Sequence, residues 1–250
     1  MRFLSHLSMA VALATAGSLT LAALPQDAQA AKKKKEKGSE IEISKEVRPK
    51  VAAIQAAMAT DTPATAKPLV EALLAETLAP DDRFVAGQLA IQLGGTLKDT
   101  QLQEKGILAS LDSGRTGPEQ LPGFNFYAGN FAYGAERWAD AAKYFQAAYD
   151  LGYRENNIEP LLAETYFKRN MYAEGLAKWD EIMNNAKASD KQPPESWYRL
   201  ARDRALASKD KNLYAAWATK WAAAYPSGDS WGDAVAANRT TSQGDSAQNL

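Results

Sequence analysis

The side chains of this chain that could do chemistry are carboxylates, amines, phenols and hydroxyls, since cysteine is absent and histidine occurs once, at His6. Without cysteine there are no thiolate nucleophiles, disulfides, iron–sulfur clusters or thiolate zinc sites. His6 lies in a segment that we expect to be removed, so the mature chain lacks the commonest general base and metal ligand. Paired carboxylates could serve a glycosidase, but Asp and Glu alternate with Lys and Arg as they do on solvated helix surfaces.

Nucleophile-elbow, phosphate-loop and dinucleotide-binding patterns are also missing from the sequence. We therefore expect no enzymatic activity, no cofactor and no metal site. The formal net charge of −1 argues against general affinity for nucleic acid, for which a basic face is needed. With 250 residues, 46% of them apolar, the chain can bury one large core or a short row of stacked repeats.

One pattern recurs at a fixed interval and organises the second half of the chain. Small and aromatic residues recur at an interval of about 34 residues, the period of a tetratricopeptide (TPR) repeat, which is a helix–turn–helix unit. The first set is Trp138, Ala141, Phe145 and Ala148, the second is Tyr172, Gly175, Trp179 and Ile182, and Gly129 maps onto Ala163 by the same shift.

The repeat predicts three TPR-like units within residues 124–226. The first runs from about Phe124 to Gly152 and the second from Pro160 to Ala186. The third opens at Trp197 and closes at Tyr225-Pro226. Its opening comes four positions later than the repeat period would place it, so we expect the loop before it to absorb four residues. Residues 227–250 predict a short helix and a polar tail.

The first half also has the pattern of helices. Residues 44–111 predict four of them, as two antiparallel pairs of helical repeats, with N-termini near Ser44, Thr62-Pro63, Asp81-Asp82 and Asp99. The expected buried stripe of the second is Leu69, Val70, Leu73, Leu74 and Leu78, and Gly94-Gly95 is expected to end the third. Residues 112–123 hold three glycines and two prolines and predict a loop, either an ordinary connection or a hinge.

The N-terminus has the pattern of a signal peptide. Arg2 precedes an apolar run from about Leu7 to Leu24, and Ala28-Gln29-Ala30 matches an A-x-A cleavage pattern. The sequence predicts residues 1–30 as a signal peptide, a mature chain that begins at Ala31, and a periplasmic or secreted protein without a membrane span after cleavage.

Five lysines just beyond the cleavage point complicate this prediction. Positive charge there opposes translocation and would favour an uncleaved membrane anchor, which is the second hypothesis. Residues 31–43 predict a disordered leader, and its lysines could contact an anionic membrane surface weakly. The lysines are Lys32, Lys33, Lys34, Lys35 and Lys37.

A binding site can be predicted from the repeats, because the first helices of successive TPR units line a concave groove. Aromatic rings beside an amide and two cations suit a protein or peptide ligand, with the cations available to carboxylates. The alternative for the aromatic residues is packing between repeats. The groove positions are Phe126, Asn130 and Tyr133 in the first unit, Glu164, Phe167 and Lys168 in the second, and Tyr198 and Arg202 in the third.

Five phrases of the sequence together resemble a group of exported bacterial TPR proteins that has no assigned biochemical function. The resemblance spans roughly residues 44–235 and implies an all-α, right-handed α-solenoid. Members of the group tend to continue past Trp231-Gly232-Asp233-Ala234 with further helices. The phrases are Phe84-Val85-Ala86-Gly87-Gln88-Leu89, Phe124-Asn125-Phe126-Tyr127-Ala128-Gly129, Leu162-Ala163-Glu164-Thr165-Tyr166-Phe167, Trp197-Tyr198-Arg199 and Ala224-Tyr225-Pro226.

The function predicted from the sequence is a non-catalytic periplasmic adaptor or scaffold that holds a protein or peptide in its groove. Two other classes stay open. One is an enzyme, or an accessory subunit of an enzyme, that acts on the cell wall. The other is a structural solenoid that associates with itself through exposed ends. The partner, the pathway and the oligomeric state do not follow from the sequence.

Overall fold

A computed structural model describes the backbone of residues 41–248 and the side chains up to Thr241. The described part of the chain is entirely helical and contains no strand, which confirms the all-α prediction. None of its helices has the length and apolar composition needed to cross a membrane. The predicted signal peptide and most of the lysine leader lie outside the described residues. The chain divides into two compact units between Ala109 and Ser110.

The first unit contains three helices, a short 3₁₀ helix and most of a fourth helix, and it forms one apolar core. The core side chains come from every one of these helices and include Val51, Ile54, Val70, Leu89 and Leu102. The elements are α1 (Arg48–Met58), the 3₁₀ helix (Pro63–Ala66), α2 (Lys67–Leu74), α3 (Pro80–Leu97) and α4 (Thr100–Asp112).

The predicted second helix differs from the structure in its buried face. Leu69 is 42% exposed, so its assignment to the buried stripe is wrong. Val70 and Leu73 are buried as predicted, and Ala66 reaches the core beside them. The segment opens as a 3₁₀ helix, and α2 begins only at Lys67. The face of α2 that packs on the core is therefore the one continuous with Ala66, and Leu69 lies outside that face.

The acidic pair at the start of α3 holds the chain segment that leads into the first unit. Asp81 accepts a hydrogen bond from the backbone N–H of Glu42, and the buried Asp82 accepts one from Ser44, each at 2.9 Å. Ile41 and Ile43 pack partly buried against the same core. Residues 41–43, the end of the predicted disordered leader, are therefore attached to the first unit.

The two glycines near the end of α3 serve packing rather than termination. The expected stop at Gly94-Gly95 is wrong, since α3 continues to Leu97 and ends at Lys98 in the left-handed conformation (φ 55°). A Cβ on Gly94 would lie 2.8 Å from the backbone nitrogen of Gln103 and 2.9 Å from the carbonyl oxygen of Asp99. The absent side chain therefore allows α4 to start directly against α3.

Asp99 caps α4, as the sequence predicts. Its carboxylate accepts a hydrogen bond from the backbone N–H of Leu102 at 3.0 Å and one from the Lys67 ammonium at 2.6 Å. These two hydrogen bonds, that of Lys67 first, lower the pKa of Asp99 below its ordinary value. The stabilisation is therefore complete above the unfolded-state pKa of about 3.9 and is lost as the pH falls through the folded-state pKa.

We expect Asp99→Ala to lower the free energy of unfolding by about 1 kcal/mol at neutral pH, because it removes an N-cap. The difference from wild type should shrink as the pH falls below about 4, where the wild-type carboxylate also loses its charge. Urea unfolding followed by far-ultraviolet circular dichroism at pH 7 and pH 3 measures both values. The exposed Asp61 gives the control Asp61→Ala, which should have little effect. A cost that is equal at both pH values would contradict the capping role.

The second unit is a row of helices in which each helix packs on the one before it and the one after it. Pro122 and Gly123 lie in the first turn of its first full helix, where the missing N–H of a proline costs nothing. The loop predicted for residues 112–123 is therefore shorter and spans residues 113–120. The helices are α5 (Leu121–Gly134), α6 (Trp138–Asp150), α7 (Ile158–Lys168), α8 (Tyr172–Ala188), α9 (Glu195–Ala207), α10 (Lys211–Ala224) and α11 (Gly228–Gln248).

The pairs α5–α6 and α7–α8 have the same turn conformation and an aromatic pair beside the turn at positions one repeat period apart. Glu136 and Asn170 both take the left-handed conformation in three-residue turns, with φ 58° and 57°. The rings of Tyr133 and Trp138 lie 5.0 Å apart, and those of Phe167 and Tyr172, one period later, lie 6.3 Å apart. The repeat period found in the sequence therefore relates structurally equivalent positions of the two helix pairs.

The four extra residues before the third pair lie in a helix rather than in the loop where the sequence placed them. Helix α8 has 17 residues and α6 has 13, whereas the connections that follow them have nearly the same length. The turn-closing hydrogen bond from Tyr153 to Ala148 recurs from Lys191 to Ala186, one period and four positions later. Four residues add about one helical turn, so the insertion keeps the same face of α8 toward its neighbours.

The tail is also more helical than predicted, since α11 continues to Gln248. Its Ala234 and Ala237 pack against a row of small residues on α10, namely Ala215, Ala218 and Ala222. The hydroxyl of the buried Ser230 donates to the carbonyl oxygen of Tyr225 at 2.8 Å and fixes the start of the helix. The part of α11 up to Ala237 is therefore a packed element of the second unit.

Candidate functional site

Three of the eight residues predicted to line the groove are core residues in the structure. Phe126 is 3% exposed and stacks on Tyr153 with 4.6 Å between ring centroids. Phe167 is 5% exposed and Tyr198 is 2% exposed. In this structure these side chains cannot contact a ligand, so they follow the packing alternative that the sequence left open for aromatic residues.

Tyr133 and Lys168 are brought together by a third residue, Trp138. The Tyr133 ring meets the Trp138 ring edge to face, with centroids 5.0 Å apart. The Lys168 ammonium lies 5.4 Å from the centroid of the same indole, within the range of a cation–π contact. The loop-facing ends of α5, α6 and α7 therefore place a phenol and an ammonium group around one indole.

Glu164 joins this group through Arg204, which the sequence did not single out. The Arg204 Nη2 atom donates to both carboxylate oxygens of Glu164, each at 2.8 Å. The same guanidinium lies 5.4 Å from the centroid of the Phe167 ring. Helices α7 and α9, the first helices of two successive pairs, are thereby joined by an ion pair.

The environment of Tyr133 connects the two groups. Burial raises the pKa of its phenol, and the negative charge of Glu164 raises it further, while the positive charge of Arg204 opposes this. The phenol therefore stays protonated and able to donate at physiological pH. We call Tyr133, Trp138, Glu164, Lys168 and Arg204 the donor cluster.

The donor cluster has more hydrogen-bond donors than acceptors. Arg204 uses only Nη2, and its Nε atom is buried without a partner. Within the described residues, the Arg204 Nη1 atom, the Tyr133 hydroxyl and the exposed Lys168 ammonium also have no acceptor. Such an arrangement suits the carboxylate and carbonyl oxygens of a ligand.

Arg202 belongs to a different surface. It lies two residues before Arg204, so it projects from nearly the opposite side of α9. Its Nε and Nη2 atoms donate to Asp233 of α11 at 2.8 and 3.1 Å, and the Tyr214 hydroxyl donates to the same carboxylate at 2.6 Å. Burial and this hydrogen bond raise the pKa of Tyr214. Arg202 therefore attaches α11, while Asn130 remains half-buried on α5 without a side-chain hydrogen bond among the described residues.

Arg204 could have been found from the sequence by its charge. Glu164 and Arg204 are opposite charges on the first helices of consecutive predicted units. The repeat period led instead to Arg202. It relates equivalent positions of two units, and it does not show which residues of the two units are in contact. No group of three or more acidic or histidine side chains in the described part of the chain is arranged to hold a metal ion.

Comparisons with known proteins found no match to this chain among family models, curated proteins or solved structures. The function is therefore inferred from the geometry of the donor cluster.

Proposed function

We propose that this protein is a non-catalytic binding protein of the TPR type, exported to the periplasm, that holds an acidic segment of a protein or peptide at the donor cluster. The repeated geometry of α5–α6 and α7–α8 supports the TPR type, and residues 1–30 of the sequence support export. The right-handed solenoid arrangement is part of the same proposal.

The observation that carries this proposal is the surplus of donors on the first helices α5, α7 and α9. Arg204 keeps its Nη2 atom on Glu164, and its Nη1 atom is left to donate to a ligand carboxylate. Charge-assisted hydrogen bonds of this kind are among the stronger ones in proteins, so acidic side chains are the ligand groups that the cluster favours.

A selection from a displayed library of random peptides, with the protein purified from a periplasmic extract, tests the proposal. Selected peptides should be rich in Asp and Glu. Replacing those residues by Asn and Gln should weaken binding about tenfold or more, measured by fluorescence anisotropy. A protein found only in the cytoplasm would contradict the export part of the proposal.

Three variants locate the binding site. Lys168→Ala and Tyr133→Phe each remove a donor, and Arg204→Lys keeps the charge but removes the guanidinium fork, so each should weaken the selected peptides. The matched control is Lys143→Ala, because Lys143 also lies over an aromatic ring, that of Tyr144 at 5.2 Å, but on the second helix of its pair. If the selected peptides bind the three variants as tightly as they bind wild type and the control, the binding site lies outside the donor cluster.

A further inference from the structure

Helix α11 has a second apolar face that the described residues leave exposed. Trp231 is 52% exposed and Val235 is 47% exposed, although Ala234 and Ala237 of the same helix are buried against α10. The two exposed residues are four apart, so they are neighbours on the helix surface. Arg239 follows after four more residues, is exposed, and makes no ion pair with any described residue.

The corresponding position on α9 is covered by the chain itself. Tyr198 is the fourth residue of α9 and Trp231 is the fourth residue of α11. Tyr198 is 2% exposed, since its ring lies 5.6 Å from that of Tyr225 at the end of α10 and the Lys187 ammonium of α8 lies 5.7 Å from its centroid. No described residue does the same for Trp231, so this face of α11 has the apolar character of a helix–helix contact without a helix on it.

Gly232 adds an independent observation. It lies inside α11, where glycine costs about 1 kcal/mol relative to alanine. Gly129 and Gly175 are required by neighbouring rings, which would lie 2.5 Å from an added Cβ. A Cβ on Gly232 would meet nothing within 4 Å. No described residue therefore requires the glycine, and its absent side chain leaves room for a helix from outside to approach closely.

We propose that this face binds α11 of a second copy of the chain, with the two helices antiparallel and Val235 on the two-fold axis. In this arrangement Arg239 lies about 6 Å along the axis from Val235, at the level of the partner subunit's Trp231. The two-fold symmetry creates the Arg239–Trp231 cation–π pair twice, once on each side of Val235. The absent side chain of Gly232 lets the partner's helix approach beside Trp231.

The complementarity is what selects a second copy as the occupant. The stripe carries one cation and one indole, eight residues apart, on either side of an apolar residue. An antiparallel copy of the same stripe matches each group with its opposite, while the two arginines stay about 12 Å apart along the axis. Because only one helix from each subunit takes part, the interface is at the small end of the range for specific association, and we expect a dissociation constant in the micromolar range or weaker.

Sedimentation equilibrium of the purified protein between about 1 μM and 1 mM tests the proposal. Wild type should change from monomer to dimer mass within this range. Trp231→Ala and Arg239→Glu should each raise the dissociation constant about tenfold or more. Arg239→Lys should raise it less than Arg239→Glu does, since a lysine can also contact an indole face. The control is Leu206→Ala, which removes an exposed leucine (51%) from α9 and should leave association unchanged.

Gly232→Ala separates an interface from a simple effect on the helix. At about 1 μM the variant should melt at a higher temperature than wild type, because alanine favours the helix, and yet it should associate about tenfold more weakly. Monomer mass at every concentration would overturn the proposal, and so would a dimer that Trp231→Ala and Arg239→Glu leave intact. Lys168→Ala should dimerise like wild type, so failure of peptide binding and failure of dimerisation can be told apart.

Discussion

Trp179→Ala is expected to lower the free energy of unfolding of the second unit by about 3–5 kcal/mol. The indole is completely buried between α8 and α9 and packs edge to face on Trp197 with 5.6 Å between ring centroids. Its Nε1 atom donates to the carbonyl oxygen of Trp197 at 3.1 Å. The substitution therefore opens a large cavity and removes this hydrogen bond.

Tryptophan fluorescence during urea unfolding measures this change, because all six tryptophans of the chain lie at position 138 or later and report the second unit alone. The matched control is Trp231→Ala at a concentration where the protein is monomeric. Its indole is 52% exposed, so the same truncation should cost less than about 1 kcal/mol. Equal costs at the two positions would show that α8 and α9 are not packed as described.

Gly129→Ala is expected to cost about 1–3 kcal/mol, although alanine is the better helix former. An added Cβ would lie 2.5 Å from Cδ1 and 2.6 Å from Cε1 of Phe145. Phe145 is itself completely buried on α6, so its ring cannot turn aside into solvent. Either α5 and α6 must separate or the ring must leave its preferred position.

Gly134→Ala is the control in the same helix, since a Cβ there would meet nothing within 4 Å. We expect this variant to be at least as stable as wild type in fluorescence-detected urea unfolding. A stabilising effect of Gly129→Ala as well would mean that the close crossing of α5 and α6 is absent. Ala163, the completely buried equivalent of Gly129 in the next unit, should likewise not accept a leucine, at a cost of about 1–3 kcal/mol.

The helices and their order could be predicted because local signals specify them. Proline near helix starts and the spacing of apolar residues located the starts of α1 to α4 within a few residues, and the repeat predicted the three helix pairs of α5 to α10 without the bounds of each helix. The errors came where the packing of one element on the next decides the outcome. Gly94 looks like a helix stop, but the approach of Gln103 explains it better. The extra turn of α8 could not be placed, because four residues fit a loop as well as a helix.

The candidate site was predictable only in part, for a related reason. A repeat pattern states which positions are equivalent, and so it located Tyr133, Glu164 and Lys168 on first helices. It does not show whether an aromatic side chain is buried or exposed. Phe126 and Phe167 are buried because neighbouring aromatic rings pack against them. Arg204 required knowledge of which side chain of the next helix meets Glu164.

The two arginines of α9 have a consequence for how the second unit resists deformation. Arg204 points back to Glu164 of α7 and Arg202 points forward to Asp233 of α11, so α9 is fastened to both adjacent first helices and spreading them must stretch both ion pairs. The ion pair between the second helices α8 and α10, from Lys220 to Asp180, is more exposed and so holds its side less firmly. Because the two arginine pairs still reach solvent, added salt weakens them as well. Higher ionic strength therefore weakens the attachment of α9 to both adjacent first helices.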